Sequence, residues 1–428
     1  MTGIQEHPLR FAVANELHAR PFPQAEAPCR AAFLALKPAR NAARRDRDAD
    51  LDHLKALLDR YAAPHPEEGA THYFGKIGKY HLKWESHTEF VTYTIFGDGL
   101  SETPFEARTF AVFPEDWLEA APGVRVTSAL IRVEVQEGDD GIREKLADWF
   151  VPESLAVSRV LDDAAVIGAD FRIDPAGHMR FAVFSRPRTG ARRVGRVIQR
   201  LCEIETYKAM AMIGFFRSKE LSGKLTRLDE RLSALTGELS GEGPGDTEST
   251  LRQLLQVSGE LEDLSTAASF RFGATGAYET IVNQRLQVLR ETRFNGRQTF
   301  AEFMMRRFDP AMRTVASTRG RLEAMSARAL RSSDLLRTRV DVQLSRENKV
   351  LLESMDRRAD LQLRLQKTVE GLSVVAISYY AVNLVVYLIG PLAEPLGISK
   401  TLLTALAVLP TVLAVWMIVR SIRKSVEK

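Results

Sequence analysis

"GLSVVAISYYAVNLVVYLIGPLA", Gly371–Ala393, runs for 23 residues without a charge, and "TLLTALAVLPTVLAVWMIV", Thr401–Val419, adds 19 more. A helix needs about 20 apolar residues to cross a hydrocarbon core. The pair therefore reads as a transmembrane hairpin occupying 371–420, with spans at 371–393 and 401–419. Pro410 falls inside the second span, where neighbouring helices can satisfy the carbonyl it frees. Arg357, Arg358, Arg364 and Lys367 precede the first span, and Arg420, Arg423, Lys424 and Lys428 follow the second. The connecting "EPLGISK" carries only Glu394 and Lys400. By the positive-inside rule both termini are expected in the cytosol, with 421–428 a basic cytosolic tail. The lipid bilayer is thus an expected partner.

Upstream of the hairpin the pattern is helical from about residue 191 to 370. Val194, Val197, Leu201, Ile204 and Met212 fall at helical spacing. "SGEGPGDTEST" (Ser240–Thr250), "FRFGATGAY" and "RFDPAMRT" read as breaks, the last with Asp309 as N-cap and Pro310 at the first helical position. Beyond Pro310 no proline occurs before Pro391. Leu322, Met325, Ala329, Leu336, Val340, Leu344, Leu351 and Met355 repeat there with a period near 3.67, the mark of a long, nearly straight packed helix. Unbroken into the first span, it would form a rod of roughly 120 Å at 1.5 Å per residue. One apolar stripe on such a rod requires partners, either helices of its own chain or further copies.

Residues 1–190 read differently. "AAFLAL" (Ala31–Leu36) suits a buried strand, and Leu51, Leu54, Leu57 and Leu58 share one face of a helix. "HYFGKIG", "YHLKWES", "EFVTYTIF", "VRVTSALIRVEV", "AVIGADFRI" and "HMRFAVFS" are strand-like, the last two joined by the turn signal Asp174-Pro175-Ala176-Gly177. The fold expected is an α+β cytosolic domain with a mixed, largely antiparallel sheet and an N-terminal arm. A long helical stalk and the two-helix transmembrane hairpin follow it.

Composition narrows the function. Net charge is +4, from 59 basic and 55 acidic residues interleaved along most of the chain, so no nucleic-acid partner is expected. Two distant cysteines, Cys29 and Cys202, make neither a disulfide framework nor a thiolate zinc site. The polar start "MTGIQEHPLR" shows no secretory signal. No G-x-S-x-G, Walker A or helix-opening G-x-G-x-x-G occurs, so a non-enzymatic protein without a cofactor is expected.

Three groups of polar residues remain as candidate sites. In "NELHARPFP" (Asn15–Pro23), Glu16, His18 and Arg20 are spaced i, i+2. They lack any metal-ligand pair such as H-E-x-x-H and read as a structural cluster fastening the arm. In "HLKWESHTEF", Glu85, His87 and Glu89 would share one face of an extended strand, as candidate ligands for a divalent cation or as part of a solvated sheet face. Within the first span Ser373, Tyr380, Asn383 and Tyr387 fall on one stripe. An amide at membrane depth needs a partner: either Asn383 bonds another helix, or the stripe lines a watery path in an oligomer.

The segments "HPLRFAVANELHARPFP", "WESHTEF", "GRVIQRLCEIETYKAMA", "RRFDPAMRT" and "EGLSVVAISYY" resemble the signature segments of bacterial membrane-anchored proteins, domain-of-unknown-function family 3422. The resemblance covers nearly the whole chain and implies anchoring in the bacterial inner membrane as a multi-pass protein, without bringing catalytic residues. The layout also resembles that of the CorA-type magnesium channels, which are pentamers marked by Tyr-Gly-Met-Asn at the outer end of the first span. Here Tyr380-Ala381-Val382-Asn383 keeps the tyrosine and asparagine, at mid-span. Together these imply a homo-oligomer acting in ion transport, with a divalent cation as cargo, or in its regulation. The alternative is a membrane-tethered scaffold or regulator that binds protein partners.

Overall fold

The computed structural model describes residues 5–11, 13–14, 22–39, 45–238, 247–393 and 399–426. In order these contain β1 (Cys29–Lys37), α1 (Arg47–Arg60), β2 (His72–Ile77), β3 (Tyr80–Ser86), β4 (Val91–Asp98), a 3₁₀ turn (Ala107–Val112), α2 (Glu115–Glu119) and β5 (Val124–Val135). There follow α3 (Asp139–Trp149), β6 (Ala156–Val160), β7 (Ala165–Ala169), β8 (Met179–Ser185), α4 (Ala191–Glu238), α5 (Thr247–Leu289), β9 (Thr292–Arg293), α6 (Phe300–Arg307), α7 (Asp309–Ala393) and α8 (Lys400–Val426).

The nine strands among the described residues form one sheet in the order β2-β3-β4-β1-β5-β8-β7-β6-β9. All neighbours are antiparallel except β5 and β8, which run parallel. The mixed, largely antiparallel sheet is therefore as expected. β1 explains why "AAFLAL" does not alternate. Ala31, Phe33 and Ala35 enter one core, whereas Ala32, Leu34 and Leu36 enter the other, because both faces of the strand are covered.

One face is covered by α4, α5 and α6. Val194, Val197, Leu201 and Ile204 of α4 are buried, as their spacing requires. The other face is covered by α1, where Leu51, Leu54, Leu57 and Leu58 are buried and Asp46 caps the N-terminus by accepting from the amides of Asp48 and Ala49.

The chain divides into two compact units, 1–245 with 252–332, and 246–251 with 333–428. This differs from the division expected at 190/191. The helices after residue 190 bury their apolar stripes on the sheet and so belong with it. "FRFGATGAY" is no break either. α5 passes through it, held by Ala268, Phe272, Thr275, Tyr278 and Val282, all buried. The break at "RFDPAMRT" is present, at Phe308 between α6 and α7.

In the second unit α7 continues without interruption to Ala393. α7 and α8 each contain a stretch long and apolar enough to cross a membrane. The apolar stripe of α7 is met only in part by its own chain. Leu322, Met325, Ala329 and Leu336 are buried, whereas Leu344, Leu351 and Met355 are more than half exposed.

Candidate functional site

The most polar interior of the first unit lies where β3 and β4 meet α4 and α5. The alternation through "HLKWESHTEF" stops at Ser86, where β3 ends. The chain then turns, with the His87 amide donating to the Phe90 carbonyl at 2.9 Å. Glu85, His87 and Glu89 are therefore not three residues of one strand face, and the face itself is not solvated. Lys83 is 6% exposed and Glu89 is completely buried.

Each of the three expected ligands has separate company. Glu85 pairs with Lys83 Nζ at 3.0 Å. The His87 ring stacks on Phe90 with centroids 4.4 Å apart. Glu89 accepts both terminal nitrogens of Arg271 and, at 2.8 Å, the Tyr278 hydroxyl. Among the described residues no three His, Cys, Asp or Glu side chains gather so as to hold a metal ion.

Burial is what makes this cluster hold together: a desolvated charge must be paired and hydrogen-bonded. Glu205 accepts from Thr127 Oγ1 at 3.0 Å and Lys208 Nζ at 2.6 Å. Glu203 accepts from Gln199 Nε2 at 2.7 Å and also binds Arg285. Burial, and then its bond to Glu89, pushes the Tyr278 hydroxyl above its ordinary range. Burial, followed by the charge of Arg271, lowers the Lys37 ammonium. Beside Lys83 and Gln199 lies a cavity of about 20 Å³, room for a single water. Gln199 Oε1 is buried there without a hydrogen-bond partner, and Lys83 Nζ has only its ion pair with Glu85.

The opposite face of the sheet holds a second polar arrangement, not expected from the sequence. His53 stacks on Trp117 at 3.9 Å, with Nε2 2.9 Å from the Trp117 carbonyl and Nδ1 3.1 Å from the Tyr93 hydroxyl. The carbonyl requires a donor, so Nε2 carries the proton and Nδ1 accepts from Tyr93. Burial holds this imidazole below its ordinary value. Its partners lie 40 and 64 residues away, which is why no local motif announced it.

Glu16, His18 and Arg20 lie outside the described residues. The end of their segment rests on α4. Ala25 donates its amide to Ala191 O at 3.1 Å, and a Cβ at Gly195 would fall 1.9 Å from the Pro23 carbonyl oxygen. Glycine at 195 is what lets the backbone at Pro23 lie directly on α4.

In the second unit Ser373, Tyr380, Asn383 and Tyr387 are all exposed, Tyr380 by 68% and Tyr387 by 82%. Ser373 donates to its own helix at Val369 O, 2.8 Å. Asn383 has no side-chain partner among the described residues. In contrast, Ser378 and Val415 are buried.

A family model described as "Protein of unknown function (DUF3422)" matches residues 5–426. No curated protein and no solved structure matches the chain.

Proposed function

The chain belongs to the DUF3422 family of proteins of unknown function, and from that premise we propose a multi-pass protein of the bacterial inner membrane, with both termini cytosolic, that assembles from several copies and moves ions or regulates their movement. Asn383 carries the reading. Its amide lies within an apolar helix, exposed and without a partner among the described residues, and an amide facing lipid is costly. Copies that turn Ser373, Tyr380, Asn383 and Tyr387 toward one another satisfy the amide and leave a path with polar walls. The layout is the one that resembles CorA-type channels, so a divalent cation is the cargo class to test first. Catalysis is no part of the proposal.

Two measurements test it. The mass of the detergent-solubilised particle should correspond to several chains, and a monomer would end the proposal, because one hairpin encloses no path. Cation flux into liposomes should then be present for the wild type and strongly reduced for Asn383→Leu. A second reading, a membrane-tethered scaffold or regulator, is favoured by the exposed Leu344, Val350, Leu351, Met355, Leu361 and Leu365 of α7, an apolar surface suited to other helices. Assembled particles that pass no ions would favour it.

A further inference from the structure

Toward one end of the sheet, the face covered by α1 opens into a cavity of about 230 Å³. Its floor is made by β1 and β4, where Ala32 lies opposite Ile95 and Arg30 opposite Gly97. Gly78 and Lys79 form the two-residue turn between β2 and β3, and this turn brings Lys79 and Tyr80 to the lining. The 3₁₀ turn contributes Arg108, Thr109 and Val112, with Glu106 just before it and Ser101 from the loop after β4. Glycine at 97 leaves space for the Tyr80 ring, from which a Cβ would lie only 3.1 Å away.

The chain does not balance the charges around this cavity. Arg30, Lys79 and Arg108 line it against a single carboxylate, Glu106, and none of the four makes an ion pair among the described residues. Arg30 also lies directly opposite Arg132 of β5, a like-charge pairing that weakens a sheet. Arg132 is neutralised by Glu134, to which its Nε donates at 2.7 Å, whereas Arg30 donates through Nη1 to the carbonyls of Asp98 at 2.7 Å and Gly99 at 3.1 Å. Those two bonds hold the Arg30 guanidinium in place without cancelling its charge. Arg132 in turn donates to the Ser101 carbonyl at 2.9 Å, so the two arginines together fix the loop. A recess lined mainly by one sign of charge concentrates the opposite sign, and a guanidinium already held loses little freedom on binding a carboxylate or phosphate.

We propose that this cavity binds a small organic anion, a carboxylate or phosphate carried on a compact apolar body. Arg30, Lys79 and Arg108 take the charged group, and the Thr109 hydroxyl adds a donor. Ala32, Ile95, Val112 and the Tyr80 ring cover the body. The volume falls below the roughly 300–1,000 Å³ of pockets that take drug-sized ligands, which restricts the occupant to a small molecule. All of the lining belongs to the sheet-bearing unit, so the site stands whether or not the protein moves ions.

The probes are para-fluorophenyl phosphate and para-fluorobenzoate, titrated with the full chain in detergent and followed by fluorine NMR line broadening. Para-fluorobenzyl alcohol, which is neutral, controls for partition into micelles. Expected is saturable broadening of at least one anion, with affinity weakened roughly tenfold or more by Lys79→Gln combined with Arg108→Gln. Both side chains are exposed and neither makes a hydrogen bond or ion pair among the described residues, so this double variant keeps its fold. Whichever anion binds more tightly assigns the charged group. Arg192→Gln combined with Arg193→Gln removes the same charge from exposed positions on α4 and should leave binding unchanged. No saturable broadening of either anion overturns the proposal, as does equal weakening in the two double variants or none in the first. Competition by inorganic phosphate as strong as that by phenyl phosphate also overturns it, in favour of a site for a bare anion.

Discussion

Replacing Glu89 with Leu removes the acceptor on which Arg271 and Tyr278 converge. The carboxylate is completely buried, and the Arg271 side chain retains only 14% of its exposure, so the guanidinium that remains cannot regain its hydration without moving part of α5. Breaking a buried ion pair from one side costs about 3–5 kcal/mol, and the residual exposure of Arg271 argues for the lower end. For a folded unit of this size, about 3 kcal/mol corresponds to a fall in Tm of roughly 4 °C, measurable by near-ultraviolet circular dichroism of the full chain in detergent. Glu89→Gln should fall between, because its amide oxygen still accepts from Tyr278 while its NH₂ meets the donors of Arg271. The decisive comparison is the double variant Glu89→Leu with Arg271→Leu. If charge isolation is the cause, removing both charges should be less damaging than Glu89→Leu alone. Costs that simply add would refute the reasoning and reduce the pair to two independent packing contacts.

Gly195→Ala should cost about 1–3 kcal/mol, because the new methyl has only the Pro23 backbone to displace. Hydrogen exchange at the Ala25 amide, bonded to Ala191 O in the native chain, should accelerate with it. The unfolded His53 ring takes up a proton as pH falls through about 6.5, whereas burial delays this in the folded chain. Stability should therefore hold above that pH and fall as pH drops below it, until the folded ring also protonates. His53→Gln should flatten the slope in part, with His178, lowered chiefly by burial as well, keeping the rest; an unchanged slope would contradict this. Burial pushes the Cys29 thiol up to about 12 and raises Cys202 also. A water-soluble thiol reagent at mildly alkaline pH should therefore label neither until the chain is denatured, and rapid labelling of the native protein would refute the burial.

Seven of the nine strands stand out in the sequence because each is a run of β-formers closed by turn residues. β6, "AVSRV", is short and unmarked, and β9 is only two residues long. A signal for the turn after β9 was nonetheless present in Asn295-Gly296, whose φ values of 46° and 76° suit those two residues. "FRFGATGAY" misleads because Gly273 and Gly276 are helix-weakening locally. Nothing local reveals that Thr275 packs against Gly214 of α4, where a Cβ would fall 2.0 Å from Thr275 Oγ1. The polar layer around Glu89 was illegible for a related reason. Its partner Arg271 is 182 residues away, and an acidic residue on an amphipathic strand looks the same whether it faces water or a guanidinium.

The two-residue strand β9 has a consequence for how the chain survives its own synthesis. β6 would otherwise present a row of free amides and carbonyls, a template onto which another chain could add. Ser158 and Arg159 are instead paired with Arg293 and Thr292, and the flanking amides of Val157 and Leu161 donate to Gln298 and Leu289. Leu289 is the last residue of α5, and the other three covering residues lie beyond it. A nascent chain therefore carries an unprotected sheet margin for more than a hundred residues of translation. Polypeptides ended before Leu289 should aggregate through that margin, however well their first eight strands have formed.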